Sequence, residues 1–373
     1  MIYFDNAATT RIKPDEVMSA FIYYMRDIGV SPGRGSYSLG IQASRMLFQS
    51  RKAVAAFFGS NHNTNVLFTK NSTEAINLYF NGTLQQGDHV LISSYEHNAV
   101  LRPLHSLKQK GIIDYTVLPQ SVFDNPSGEL HKYIKSTTKL AAITLASNLT
   151  GQVVFNNRFS SECKSNGITV FVDASQGGGK GLINMGRDNI DCLAFTGHKD
   201  LLAMPGVGGL CTLEPLTIQP LIQGGTGIHG DSYVNPCVFP ETYESGTLNM
   251  PAIWSLKAAI EHINPQLVRI NEREKQLTAQ LLTGLLSLDN IVVYKPECNR
   301  VSTVCFNVKN TPSSEVVTIL DRNNICVRGG IHCAILAHET LGTVQLGAVR
   351  VSLNYMNTED EVDTFLKIIR RIK

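Results

Sequence analysis

Two apolar runs in the middle of the chain do most to fix what it can fold into. TVFVDASQ (169–176) and IDCLAFTGHK (190–199) each pass from buried-type residues directly into polar ones. Short continuous apolar runs of this kind suit inner strands of a parallel sheet that is covered on both faces. Side by side, the two strands deliver Asp173 and Gln176, and Thr196, His198 and Lys199, to one crevice at their carboxyl ends. Open α/β sheets bind their ligands there.

The rest of the chain extends this pattern. NVLFT (65–69) reads as a strand, followed by a helix that opens at Ser72 or Thr73. DHVLISS (88–94) is another strand, followed by Tyr95, Glu96, His97, Asn98 and a helix to about Lys110. KLAAITLAS (139–147) ends at Asn148, 159–166 reads as a short helix, and VGGLCTL (207–213) as a returning strand. Strand–helix alternation predicts an α/β domain with a mostly parallel sheet. Ahead of it, 1–12 reads as extended and turn-rich, a helix follows Pro14, 31–40 is a glycine-punctuated loop, and 43–58 is helical. A long loop rich in glycine and proline fills 223–251, too long to be idle in a compact domain. Helical spacing runs from Ala252 to about Leu286 and is broken at Pro265. Alternating runs (301–308, 348–355) and helices (313–322, 358–372) then predict a smaller α+β domain. The expected division is 14–250 as the large domain, 1–13 plus 264–373 as the small one, and 251–263 as the start of a bridging helix.

Composition excludes several function classes. With 373 residues the chain is long enough for a large core plus a smaller one. A net charge of +2 provides no basic field for nucleic acid. No apolar run approaches the roughly 20 residues that span a bilayer, so no membrane partner is expected. MIYFDNAATT lacks a signal peptide's basic start and apolar core, so a cytoplasmic protein is expected. The eight cysteines form no Cys-x-x-Cys pair, and no disulfide framework is expected. Cys192 and Cys211 lie inside apolar strands as small hydrophobes.

Asp173 and Lys199 are the sharpest pair. A carboxylate and an amine in one crevice suit pyridoxal phosphate (PLP), whose ring nitrogen takes an acid and whose aldehyde takes a lysine; an ordinary salt bridge is the plainer reading. A lysine in a partly dry crevice sheds its proton and becomes nucleophilic. Ser72 and Thr73 form either a simple helix cap or an anion site. His97 is either a solvated helix-start residue or a group that stacks on a ring or moves protons. Asn148 makes an Asx turn or bonds a ring hydroxyl. Cys333 lies in a glycine-bearing loop with Arg328 and His332 nearby, where a thiol is either structural or activated. The spacing of His332, Cys333 and His338 matches no common zinc pattern, so no metal is expected. Arg350 sits in an apolar strand and is partnered either by a neighbouring acid or by a substrate carboxylate.

Taken in order, DNAATT, STEAIN, YEHNAV, ASNLTG, VDASQ, TGHK, ESGTLN, RGGIHCA and RVSLNYMNT span nearly the whole chain. This ordered set resembles the class V aminotransferase family, and within it the cysteine desulfurases of the NifS/SufS type, nearer the SufS-like subgroup. The resemblance implies the PLP fold-type I, aspartate aminotransferase-like, usually a homodimer with active sites at the subunit interface. By matching motif, Lys199 would hold PLP covalently, Asp173 would pair with its ring nitrogen and Gln176 with its ring oxygen. His97 would stack on the ring, and Asn148 would lie near the ring oxygen and the substrate. Ser72, Thr73, Thr196 and His198 would hold the phosphate, with Thr247 reaching that of the neighbouring subunit.

The implied reaction converts L-cysteine to L-alanine and leaves sulfur as a persulfide on Cys333. Arg350 would clamp the substrate carboxylate, Lys199 would move the Cα proton, and His97 would serve protonation steps nearby. Such sulfur mobilisation commonly serves an acceptor protein and iron–sulfur cluster assembly. Two departures set the chain apart: AILAHETLGTVQLG follows Cys333, and Tyr37 stands where SufS-like members usually carry histidine. Alternatives are another class V PLP chemistry (selenocysteine lyase, C–S lyase, aminotransferase-like) and a catalytically idle PLP-fold binding protein.

Overall fold

The computed structural model describes residues 1–60 and 65–372. In chain order, β1 (Ile2–Tyr3), α1 (Asp15–Tyr23) and α2 (Ser38–Phe58) lead into β2 (Val66–Thr69), α3 (Ser72–Thr83), β3 (Asp88–Ser93) and α4 (Asn98–Gln109). Next come β4 (Ile113–Leu118), the short α5 (Gln120–Asp124) and α6 (Pro126–Glu129), then β5 (Thr138–Thr144), α7 (Asn157–Ser165), β6 (Thr169–Asp173), β7 (Cys192–Thr196) and β8 (Gly208–Thr212). After the long loop follow α8 (Met250–Ile263), α9 (Leu267–Leu286), β9 (Ile291–Val293), β10 (Thr303–Val308), α10 (Ser313–Arg322) and β11 (Ile325–Cys326). The chain closes with β12 (Arg328–Gly330), α11 (Ile335–Leu341), β13 (Ala348–Ser352) and α12 (Glu359–Ile369).

Among the described residues, one sheet has seven strands in the order β2-β8-β7-β6-β5-β3-β4, and only β8 runs antiparallel to its neighbours. Alternation along each strand supplies both faces. On β6, Val170 and Val172 enter one buried cluster while Phe171 enters the other. The first cluster is completed from α2, α7 and α8, and the second from α3 and α4. Covered on both faces, the sheet opens to ligands only at its ends.

A four-stranded antiparallel sheet, β12-β13-β10-β9, carries a third core with Phe4, Leu277, Leu281, Phe306 and Phe365. Pro265 does break the long helical stretch: a single 3-10 turn, Asn264–Gln266, separates α8 from α9. Helix α9 spans the two bodies, with Ile270 in the first cluster and Leu277, Leu281 and Leu285 in the third.

Three expectations need correction. Helix α2 begins at Ser38, inside the stretch read as loop. Gly40 is a packing residue, since a Cβ there would lie 2.7 Å from the Gly35 carbonyl oxygen. Arg328–Gly330 is an edge strand rather than loop, because pairing with β13 overrides the weak strand preference of glycine. The sequence reading also has no strand at β4, which nevertheless pairs with β3 over six residues.

Candidate active site

The carboxyl ends of β2, β3, β5, β6 and β7 converge on a cavity of about 230 Å³. Ser72, Thr73, His97, Asn148, Asp173, Gln176, Thr196, His198 and Lys199 all line it. Each comes from the carboxyl end of a strand or from the segment just after it, so the shared direction of these strands brings them together.

Asn71 starts the cavity's first wall. Its side chain accepts from Glu74 N at 2.9 Å and caps α3, leaving Ser72 and Thr73 in the donor-rich first turn. The backbone here is close-packed. A Cβ on Gly208 would lie 2.7 Å from the Asn71 carbonyl carbon, so β8 passes this helix start without a side chain.

His97 caps α4, with Nδ1 accepting from Ala99 N at 3.0 Å, which places the proton of the neutral ring on Nε2. Burial, reinforced by Lys199 and opposed by Asp173, pushes its pKa down to about 4. Asp173 is buried at the end of β6, and its Oδ1 accepts from Ser175 N (3.0 Å) and Ser175 Oγ (2.5 Å). Gln176 donates to the Ala7 carbonyl at 2.8 Å, drawing the N-terminal segment over the site.

Lys199 is held through its carbonyl by Thr10 Oγ1 at 2.8 Å. Burial lowers its pKa to about 8, with Asp173 pulling the other way. His198 is lowered to about 4 by burial, then by Lys199 and Lys13. Two buried polar atoms on cavity-lining residues lack hydrogen-bond partners, Thr196 Oγ1 and Asn148 Oδ1.

The Cys333 loop docks beside this cavity. Asn148 Nδ2 donates to the His332 carbonyl at 2.6 Å, and Asn98 N donates to that of Cys333 at 2.8 Å. His332 (φ 54°) and Cys333 (φ 55°) are both left-handed, a conformation costing about 1–3 kcal/mol for a residue other than glycine. Cys333 is half-buried, whereas the Arg350 side chain is only 1% exposed. Arg350 Nη2 donates to Asp5 Oδ1 at 2.6 Å and Nη1 to the Asn148 carbonyl at 2.8 Å, while its buried Nε has no partner. The rings of His332 and His338 stack at 5.7 Å.

Thr247 is not brought to this cavity within one chain; it lines a separate one with Lys70 and Glu74. Sequence reasoning missed two groups. Asp5 pairs with Arg350 from 345 residues away, with no local signal beyond the DNAATT run. Glu96 was passed over for its neighbour His97, yet it is fully buried beneath the site.

Known proteins agree with this architecture. A model of the family described as aminotransferase class-V matches residues 2–365. The chain belongs to that family. Its members use PLP. Along its whole length the chain is 32% identical to a probable cysteine desulfurase of Methanothermobacter thermautotrophicus, covering 94% of that protein. It is 29% identical to a cysteine desulfurase of Serratia proteamaculans, covering 93% of it. The apo structure of cysteine desulfurase from Thermococcus onnurineus NA1 superposes with a TM-score of 0.91 at 31% identity, covering all of this chain and 94% of that one. No helix of the described residues is long and apolar enough to cross a membrane.

Proposed function

We propose that the chain is a cysteine desulfurase, which converts L-cysteine to L-alanine and leaves the sulfur as a persulfide on Cys333. The observation that carries this reading is the docking of the Cys333 loop, hydrogen-bonded through its backbone to residues at both flanks of the cavity.

The cavity's donor set fits PLP. The open first turn of α3, with Thr196 Oγ1 and His198, suits a phosphate. Asp173 suits the ring nitrogen, Gln176 and Asn148 the ring oxygen, His97 the ring face and Lys199 the aldehyde. Bound there, PLP supplies an electron sink for bonds at the substrate's α-carbon. Lys199, its pKa lowered by burial to about 8, accepts and returns the Cα proton. The Arg350 guanidinium, through its unpartnered Nε, meets the substrate carboxylate. Cys333 thiolate attacks the substrate sulfur, so that an S–S bond forms as the C–S bond breaks. The electron pair passes to the carbon skeleton, which takes up a proton and leaves as alanine. Neutral His97, with its ring proton on Nε2, stands beside these proton transfers.

The division of the chain into 14–250 and 1–13 plus 264–373 is part of this reading, supported by the separate sheets. So is a homodimer. Ile22 (49%), Met25 (58%) and Phe48 (51%) near α1 and α2, and Tyr233 (107%) in the long loop, are exposed apolar groups that a second copy would cover. Thr247, outside its own chain's cavity, then serves the partner's. The persulfide passes on to an acceptor thiol.

The test is direct. Purified protein supplied with PLP acquires visible absorbance, and Lys199→Ala abolishes it. With L-cysteine and a reducing thiol that releases the persulfide sulfur as sulfide, alanine and sulfide appear together, and Cys333→Ala stops both. A colourless wild type would sink the cofactor assignment; undiminished sulfide from Cys333→Ala would leave that thiol structural.

A further inference from the structure

Lys180 is a buried lysine that the reading above does not use, with a side chain only 6% exposed. Its Nζ lies 2.6 Å from Glu274 Oε1 and 3.5 Å from Asp200 Oδ1. Burial opposes its charge, but the two carboxylates overcome this and the ammonium's pKa is raised. It is a fixed cation between two fixed anions.

The three groups come from different parts of the fold. Lys180 ends the 3-10 turn Gly178–Lys180, just after the Asp173 turn. Asp200 directly follows Lys199, and its Oδ2 accepts from Gly177 N at 2.6 Å. Glu274 lies on α9, and its Oε2 accepts from Ser302 Oγ at 2.6 Å while its Oε1 accepts from Tyr355 N at 3.2 Å. Ser302 precedes β10 and Tyr355 follows β13, so both belong to the four-stranded body. Asn271, one turn before Glu274, donates to the Lys180 carbonyl at 2.9 Å.

We propose that Lys180 is a positioning residue for the reaction: with Asp200 and Glu274 it fixes the turn bearing Lys199 against the sheet bearing Arg350 and the Cys333 loop. The proposal rests on the desulfurase reading, since it assigns Lys180 to aligning a lysine and a thiol loop carried by separate sheets. Burial makes the alignment stiff at Glu274, because that carboxylate cannot swing away without leaving the Lys180 charge unpaired in a dry setting, while Asp200 is held by Gly177 N. A displacement of about 1 Å between such groups slows a reaction about a hundredfold.

The bridge has an electrostatic consequence at Lys199. The charged and titratable groups facing that amine are Asp173, Asp200, Arg328, Arg350, His97 and His198. Asp200 favours the protonated amine, and the Lys180 ammonium lies 3.5 Å from that same carboxylate. Removing the cation frees Asp200 to act, whereas neutralising Asp200 removes the influence.

The experiment uses PLP-loaded protein carrying Lys180→Met/Glu274→Leu, which removes the ion pair as a unit, and separately Asp200→Asn. The double variant should melt close to wild type, lose about tenfold or more in kcat with KM for L-cysteine within about twofold, and move the pH midpoint of the visible absorbance upward. Asp200→Asn should move that midpoint downward. A merely structural bridge would change melting and leave both midpoints in place. Wild-type kcat with unmoved midpoints, or midpoints moving in the same direction, overturns the proposal while Lys199 stands. If the double variant does not fold, the midpoint of Asp200→Asn decides alone. A wild type that stays colourless with PLP overturns this proposal together with the assignment of Lys199.

Discussion

Glu96 shows how one residue can shape a site it does not line. Its Oε1 accepts from Ser93 Oγ at 2.5 Å and Thr144 N at 2.8 Å, joining the ends of β3 and β5, while the buried Oε2 has no partner. Burial raises its pKa to about 8, beyond what those hydrogen bonds pull back. The folded state therefore holds a proton that the unfolded chain releases near pH 4.5. The stability Glu96 contributes is complete below that pH and is lost as pH rises to about 8. Glu96→Gln should flatten this fall, and urea melts at pH 5 and pH 8 would show it; a variant with the wild-type pH slope would mean Glu96 is ionised. Residues at this scale were unevenly legible. Asp173 and Lys199 stood out because a charge ending an apolar run needs a reason. Lys180, Asp200 and Asp5 did not, because each finds its partner only through the fold. Arg350 was visible as an anomaly, but its pairing with Asp5 joins chain segments no local pattern connects.

Among the elements, helix α12 was plain in sequence because its start carries its own instructions. Thr358 accepts from Glu361 N at 3.2 Å, and the Glu361 carboxylate accepts from Thr358 N at 3.1 Å. Its buried face, Val362, Phe365, Leu366 and Ile369, seals the third core. Thr358→Ala should cost about 1 kcal/mol in chemical denaturation and leave PLP binding unchanged; a loss of PLP would show that α12 reaches the site. Parallel strands β6 and β7 were legible for the opposite reason, since burial on both faces leaves little but apolar residues. The glycine-rich elements were the opaque ones. Strand β12 exists through pairing with β13, which a local reading cannot see, and the start of α2 through a close approach of Gly40 to the Gly35 carbonyl that residue preference does not signal.

For the whole molecule, the long loop before α8 is the segment that most needs an anchor. Arg51 supplies it: Nη1 donates to Glu244 Oε1 at 2.7 Å and Nη2 to Oε2 at 2.5 Å, with both side chains buried. Glu244 also accepts from Phe68 N at 2.6 Å, so the loop is pinned to strand β2. Arg51→Met leaves that carboxylate buried and unpaired, at about 3–5 kcal/mol. Because Thr247 follows three residues later, the same change should weaken self-association, read as mass in solution; unchanged mass and stability would show the anchor to be idle.

Gly208 shows how such a site limits its own descent. Strand β8 runs so near Asn71 that a single methyl group would push on the turn seating Ser72 and Thr73. The restriction comes from a lack of room rather than from any task glycine performs. Any side chain at this position would have to displace the Asn71 backbone or the Phe195 carbonyl oxygen. A residue that lines no part of the cavity thereby sets its shape by the room it leaves.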